Sequence, residues 1–350
     1  MMEVAEEASL CFPLLVNTSC RKPQRPPSAA ALTYMLLSAI SLITFTLNLL
    51  VIISISHFKQ LHTPTNLLLL SLATSDFLVS FLMLFQIFLL DGCWFFGDLM
   101  CVVCHVLGYV ITSVSIGSMV LISIDRYVAI CDSLHYHIKV SQIRVKICVY
   151  LCWLISLLFH CVCFIDILKQ PGRYNSCVGE CVIVVTYAAG MTDLVFSFIG
   201  SLSVIVVLYM RVFLVAVSQV RAMRSRLRIV ILRGTTVKSS ELKAARTLGV
   251  VVVVFIACIM PYFCIAISGQ DVLLNASSAA FIMWLFYFNS CLNPLIYAIF
   301  YPWFRRSIKL IVTLQILKPD SSQANIMIPV MAKRRTMWPL YNQTEDTETK

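Results

Sequence analysis

A long apolar run, from Cys101 to Tyr127, is the feature that most constrains the fold of this chain. An apolar run of roughly 20 residues spans a lipid bilayer as a helix, because in lipid only hydrogen bonds within the helix can satisfy its backbone. This run ends in Asp125-Arg126-Tyr127, and Gly108 lies five helical turns before Arg126, about 27 Å away on the same face. We therefore expect one helix to connect a site near one membrane surface with an acid–base pair near the other.

Six further apolar runs indicate a polytopic membrane protein. Hydrophobic residues make up 59% of the chain and charged residues only 13%, which departs from soluble domains in both directions. The runs, called spans one to seven below, lie at about 30–56, 66–90, 101–127, 145–167, 184–210, 246–269 and 277–301. The sequence thus predicts an all-α membrane protein, a seven-transmembrane helix bundle over residues 30–301.

Lysine and arginine residues orient this bundle. They are concentrated in the connections after spans one, three and five, whereas the intervening connections carry only Lys169 and Arg173. Because such residues favour the cytoplasmic side, the tail 1–29 is predicted to lie outside. The net charge of +10 then belongs to the inner membrane surface, and no nucleic-acid partner is expected.

The residues after span seven predict an amphipathic helix. In PWFRRSIKLIV, apolar side chains alternate with Arg305, Arg306 and Lys309, as in helices that lie on a membrane surface. We assign residues 302–314 to this helix, in contact with lipid. The polar residues 315–350 are expected to form a disordered cytoplasmic tail.

Six cysteines lie at the outer end of a span or beyond it, on the oxidising side: Cys11, Cys20, Cys93, Cys101, Cys177 and Cys181. A bond between Cys101 and Cys181 would hold the outer loop over the bundle, and Cys20 and Cys177 remain to attach the tail. The other two stay unassigned. In the same tail, Asn17-Thr18-Ser19 is a glycosylation acceptor.

Asp76 lies in the middle of span two, where a charge is costly and suggests a function. Four residues of other spans offer it hydroxyl or amide groups: Asn48, Ser115, Asn289 and Asn293. A carboxylate with such neighbours is a candidate sodium site. The alternative is a hydrogen-bond cluster that holds the helices together, and the sequence favours neither.

Asp193 is the second acid inside a span. It precedes Tyr209, near the inner end of span five, by about 24 Å of helix, which places it in the outer half, level with Gly108. A buried carboxylate needs a cationic partner. His105 and His160 are the nearest internal candidates, but we favour the ammonium group of a ligand.

Four landmarks follow one another along the spans: Asp125-Arg126-Tyr127, Trp153, Pro261 and Asn293-Pro294-Leu295-Ile296-Tyr297. In this order they resemble the rhodopsin-like G-protein-coupled receptors. Within that family, the segments 61–79, 93–101, 177–181 and 289–304 are similar to the trace amine-associated receptors. The resemblance covers residues 17–310.

The resemblance implies a plasma-membrane receptor for small amines, typical of olfactory neurons, that couples to a stimulatory G protein and raises cAMP. It implies no enzymatic activity. In the family, an aspartate on span three, eighteen residues before the arginine of the Asp-Arg-Tyr triplet, pairs with the amine, and here that position is Gly108. Some members carry an aspartate on span five instead, at the position of Asp193. A single acid predicts a preference for monoamines over diamines.

The resemblance also implies further roles. The residues expected to line the amine pocket are Gly108, Tyr109, Thr112, Tyr262, Phe263 and Tyr287. The residues expected to act in signalling are Asp125, Arg126, Tyr127, Leu134, Tyr209, Pro261, Asn293, Pro294 and Tyr297. Arg126 would leave Asp125 as span six swings about Pro261, and the opened cavity beside Leu134 and the basic third loop would accept a G-protein helix.

Two departures from the family affect this route. Ser201 stands where span five usually has a proline, which removes a device for kinking the helix. Ile259 replaces the span-six tryptophan. A transporter would be expected to show internal repeats and broken helices, and a membrane enzyme a catalytic constellation; the spans suggest neither. A receptor for a non-amine ligand remains an alternative, in which Asp193 is satisfied internally.

Overall fold

The computed structural model describes residues 9–22, 27–226, 249–264 and 276–326. Seven helices follow the predicted spans: Pro27–His57, Pro64–Asp91, Gly97–Cys131, Gln142–Cys163, a continuous helical stretch over 187–226, Gly249–Cys264 within the described part of span six, and Ala276–Phe300. The first five are long and apolar enough to cross a membrane. The predicted all-α, seven-helix fold is confirmed.

Short helices join or follow the spans: Lys59–Leu61, Tyr136–Lys139, Ile165–Lys169, Gln315–Leu317 and Ser321–Gln323. After Tyr301 the chain turns into the surface helix Pro302–Val312, whose Trp303, Phe304 and Ser307 are buried. The third loop falls on residues 227–248, which lie outside the described residues, as do 1–8 and 327–350.

Helix caps explain several boundaries. Span two begins at Pro64 because the hydroxyl of Thr63 accepts a hydrogen bond from the Asn66 amide, and proline suits the first helical position. Ser141 caps span four in the same way. Most helices extend a few residues beyond the apolar runs, since polar residues continue the helix at the membrane surfaces.

Span three is central. It packs against spans two, four and five, and span seven packs against spans one and two. The main core of the bundle is apolar and includes fully buried residues of several spans, among them Leu69, Met119, Ile205 and Tyr297. Spans four and five instead expose large apolar side chains along their outer faces, as expected of helices that face lipid.

Span five is irregular just below Asp193. Tyr187–Asp193 is α-helical, Leu194–Gly200 is π-helical, and Ser201–Arg226 is α-helical again. A π-turn widens a helix locally and often accompanies a functional site. The sequence predicted the loss of a proline kink at Ser201, and the structure has a π-helical segment immediately before that position.

Three disulfides hold the tail and the outer loops over the bundle. Cys101–Cys181 and Cys20–Cys177, both expected, are present, and Cys11–Cys93 forms a third bond. Backbone hydrogen bonds between the tail and the loop reinforce this cap, including Cys20 N to Val178 O at 3.0 Å. The tail is therefore part of the folded outer surface.

Candidate ligand site and signalling residues

Asp193 pairs with a histidine of span four. Its Oδ1 lies 3.2 Å from Nε2 of His160, whose Nδ1 lies 2.8 Å from the carbonyl oxygen of Ser156. The His160 side chain is 1% exposed and that of Asp193 17%. The structure thus gives Asp193 the internal partner that the sequence left as the less favoured alternative. His105 instead bonds the Cys101 carbonyl of its own helix.

Aromatic rings extend from this pair across the bundle. Tyr109 of span three stacks on His160, with ring centroids 6.0 Å apart, and lies within electrostatic reach of Asp193. Its side chain also lies within electrostatic reach of Tyr262 of span six. Tyr262 in turn packs against Phe286 of span seven at 5.1 Å. Spans three to seven therefore meet around one chain of polar and aromatic side chains.

Two of the remaining predicted pocket residues, Phe263 and Tyr287, pack against this chain. Phe263 stacks face to face on Phe198 of the π-helical segment, with centroids 3.9 Å apart. Tyr287 is buried against Phe286. Thr112 is half-buried one turn below Gly108. A Cβ built on Gly108 would meet Leu82 Cδ1 of span two at 3.9 Å, an ordinary contact.

At the inner end of span three, Arg126 and Asp125 form a buried ion pair. Arg126 Nε lies 3.0 Å and Nη2 2.5 Å from Asp125 Oδ2. Thr65 accepts from Arg126 Nη2 at 2.6 Å and donates to the same carboxylate at 2.9 Å. Tyr136, in the second inner loop, donates its hydroxyl proton to Asp125 Oδ1 at 2.8 Å. Burial and the nearby Asp125 charge raise the pKa of Tyr136 to about 12, so it remains a donor at physiological pH.

The second inner loop also exposes a docking feature. Leu134 is 90% exposed beyond the end of span three. Hydrogen bonds from Lys139 and His135 lower the pKa of Asp132, and these contacts, 2.6 and 2.7 Å long, brace the turn that carries Leu134. An exposed leucine on a braced turn can enter an apolar pocket of a partner.

The other predicted signalling residues lie in the spans and are buried or partly buried. Tyr127 packs beside Ile130 and Val212. Tyr209 faces Gly249 of span six, where an added Cβ would lie 3.6 Å from its ring. Tyr297 is fully buried and its hydroxyl has no hydrogen-bond partner in the described part of the chain. Pro294 lies inside span seven, and Pro261 inside the described part of span six.

Asp76 is fully buried, and Asn293 Nδ2 donates to its Oδ2 at 2.7 Å. Ser290 also lies near this carboxylate, but Asp76 Oδ1 has no hydrogen-bond partner among the described residues. Asn48 donates to the Ser290 carbonyl at 3.0 Å, which joins spans one and seven. Ser115 instead donates to a neighbouring serine, Ser75, at 2.8 Å.

Several acceptor oxygens in this region have no hydrogen-bond partner among the described residues: Asp76 Oδ1, Asn48 Oδ1, Asn289 Oδ1 and Asn293 Oδ1. Buried oxygens left unpaired in this way suit water or a hard cation. The donor set therefore fits sodium, with Asp76 supplying the charge.

On the outer surface, Asn17 is exposed at the edge of a cavity of about 650 Å³ between the tail and the first two outer loops. The cavity is also lined by Phe95, Asp98 and Glu180. A glycan attached to Asn17 would project from this rim.

Comparisons with known proteins agree with these landmarks. The family "7 transmembrane receptor (rhodopsin family)" matches residues 47–297. Trace amine-associated receptor 4 of Mus musculus is 33% identical over 333 residues, which cover 91% of this chain and 96% of that receptor. Trace amine-associated receptor 13c of Danio rerio is 34% identical over 334 residues, which cover 92% and 97%. Trace amine-associated receptor 1 of Homo sapiens is 32% identical over 328 residues, which cover 90% and 97%.

The chain belongs to the trace amine-associated receptors. As a member of that branch of the rhodopsin family, it is a multi-pass membrane receptor and not an enzyme. The family implies a small-molecule ligand on one side of the membrane and a G protein on the other.

Sequence reasoning missed two parts of this trace amine-associated receptor. Thr65 and Tyr136 complete the network around Arg126, yet neither lies in a motif that marks it. The sequence indicated a bond between Cys11 and Cys93 only because these two outer cysteines had no assigned partner. Both arrangements depend on how loops fold back onto the bundle.

Proposed function

We propose that this receptor detects small amines whose ammonium group binds Asp193, and that it signals through a stimulatory G protein to raise cAMP. The observation that carries the proposal is the position of Asp193. The carboxylate lies in the outer half of span five, is partly accessible, and lies within electrostatic reach of Tyr109 of span three. Aromatic faces attract cations, and the relatives' names refer to trace amines.

On the inner side, the proposed signalling route begins with Arg126 held by Asp125, Thr65 and Tyr136. Ligand binding would favour a state in which Arg126 is released and span six moves about Pro261, with Tyr209 and Tyr297 turning inward. Leu134 and the basic third loop would then contact the G protein. A sodium ion held by Asp76 and the neighbouring oxygens would favour the resting state.

Plasma-membrane expression in olfactory neurons and a glycan on Asn17 also belong to this proposal. They rest on the family resemblance and on the exposure of the Asn17 side chain.

The test is a cAMP concentration–response series with monoamines and with diamines of matched chain length, at equal surface expression. Asp193→Asn should raise the amine EC50 by at least about thirtyfold, since loss of one partner of a buried charge pair costs roughly 2 kcal/mol or more. Asp98→Asn, which neutralises an exposed acid in the first turn of span three, is the matched control and should shift the EC50 by no more than about twofold. Gly108→Asp should create a response to diamines, because it adds a second acid and a Cβ at this position meets only an ordinary contact.

A second candidate function rests on the His160–Asp193 contact. If this pair is purely structural, the pocket takes a non-amine ligand, and Asp193→Asn would leave the agonist response intact. A wild type that responds to diamines at lower concentrations than to matched monoamines would contradict the single amine anchor.

A further inference from the structure

The hydrogen bonds of His160 determine how many protons it shares with Asp193. The Ser156 carbonyl oxygen can only accept, so Nδ1 of His160, 2.8 Å away, carries a hydrogen. A neutral imidazole has a single N–H, which leaves a lone pair on Nε2. A carboxylate oxygen also only accepts, so a hydrogen bond across the 3.2 Å between Nε2 and Asp193 Oδ1 takes one more proton. With that bond made, the two side chains share one proton.

The groups that face this pair within the described residues are uncharged donors or acceptors. Tyr109 approaches from span three, with Tyr262 of span six behind it, and the thiol of Cys163 lies within electrostatic reach of Asp193 from span four. The outer-loop residues packed nearby, Ile183 and Val185, are apolar. None of these groups carries a permanent charge that would compete for Asp193.

An ammonium that binds Asp193 changes this balance. With the proton still present, two positive charges would share one carboxylate in a largely buried site, which is unfavourable. Once the proton leaves, His160 is neutral, keeps its Nδ1–H bond to Ser156, and turns a free Nε2 lone pair toward the ligand. A primary ammonium has three N–H groups, enough to donate to both His160 and Asp193.

We propose that His160 is the second half of the amine site: the bound ammonium takes the place of the proton shared by His160 and Asp193, and donates one N–H to each. One proton is released to solvent for each amine bound. His160 thereby becomes a specificity residue that favours primary amines over their N,N-dimethyl counterparts, which have a single N–H. This inference rests on the proposed function and adds the number of N–H groups and the proton to it.

The first test measures the EC50 of a primary alkylamine between pH 6 and pH 8, normalised to direct activation of adenylyl cyclase at each pH. Alkylamines stay protonated over this range. Release of a proton on binding makes the EC50 rise as the pH falls, by up to about tenfold per pH unit. His160→Gln keeps a polar group near Nε2 without the proton, so its EC50 should be independent of pH.

The second test compares a primary amine with its N,N-dimethyl counterpart. Wild type should favour the primary amine by at least about fivefold, and His160→Phe, which preserves a ring but removes the acceptor, should abolish the preference. If a variant does not reach the surface, the wild-type pH slope and amine ratio still decide. This inference is overturned by a wild-type EC50 that does not change with pH, or by a pH dependence of the EC50 that His160→Gln retains. If Asp193→Asn has lost the amine response in either case, the proposed function still stands. A wild type that responds to no amine overturns the proposed function as well.

Discussion

At the scale of single residues, Tyr136 holds the inner network closed through one hydrogen bond to Asp125. A hydrogen bond to a charged group contributes roughly 1.5–3 kcal/mol. If the active state lacks this contact, its loss shifts the balance toward that state by about tenfold or more. Tyr136→Phe should therefore raise basal cAMP several-fold at equal surface expression.

The control for this change is Tyr150→Phe, because Tyr150 is 65% exposed on the outer face of span four. It loses a hydroxyl of the same kind, far from the Arg126 network, and should leave basal cAMP unchanged. Equal basal activity in Tyr136→Phe and wild type would show that the contact with Asp125 does not restrain the receptor.

Asp193 illustrates what sequence reveals about the site. A carboxylate inside an apolar span stands out, because its burial requires a partner. Its partner is harder to predict. Whether His160 or a ligand fills that role depends on how spans four and five are rotated about their axes, and both spans carry apolar residues on nearly every side. Tertiary packing decides the pairing, and local pattern does not.

At the scale of elements, the last residue of the π-helical segment Leu194–Gly200 has little space for a side chain. A Cβ on Gly200 would lie 3.3 Å from the Val195 carbonyl oxygen, tighter than ordinary contacts. On Gly190, one helical segment earlier, an added Cβ would meet Val185 Cγ1 at a comfortable 3.9 Å.

These two glycines provide a matched pair of variants. Both Gly→Ala changes gain about 0.5–1 kcal/mol of helix propensity, but only Gly200→Ala must also displace a carbonyl of the π-turn. We expect Gly190→Ala to keep or raise the Tm of the detergent-solubilised receptor and Gly200→Ala to fall a few degrees below it. Equal Tm values would mean that the π-turn tolerates a side chain at this position.

Most span ends were predictable from hydropathy to within a few residues, since about 20 apolar residues in a row leave few alternatives in lipid. The helix of span five instead continues past the predicted end at 210 as far as Arg226. The exact ends were not predictable, because caps such as Thr63 and Ser141 act outside the apolar runs. The π-turn was also not predictable. Ser201 showed that a proline was missing, but a serine carries no signal for a π-helical segment before it.

At the scale of the whole molecule, Asp76 connects spans two and seven through its bond to Asn293. If sodium binds there and favours the resting state, amine potency should fall several-fold when sodium chloride replaces potassium chloride at roughly 0.15 M ionic strength. Asp76→Asn removes the charge that holds the ion and should abolish the difference. The same sodium dependence in that variant would contradict the site.

Binding of an ammonium group to Asp193 is proposed to activate a G protein at the inner surface of the receptor. The most direct measurement is nucleotide exchange on purified stimulatory G protein, catalysed by membranes that contain wild type or Asp193→Asn at matched density, as a primary monoamine is titrated. We expect saturable exchange with wild type, and a curve displaced by at least about thirtyfold with Asp193→Asn. Superimposable curves would contradict this proposal.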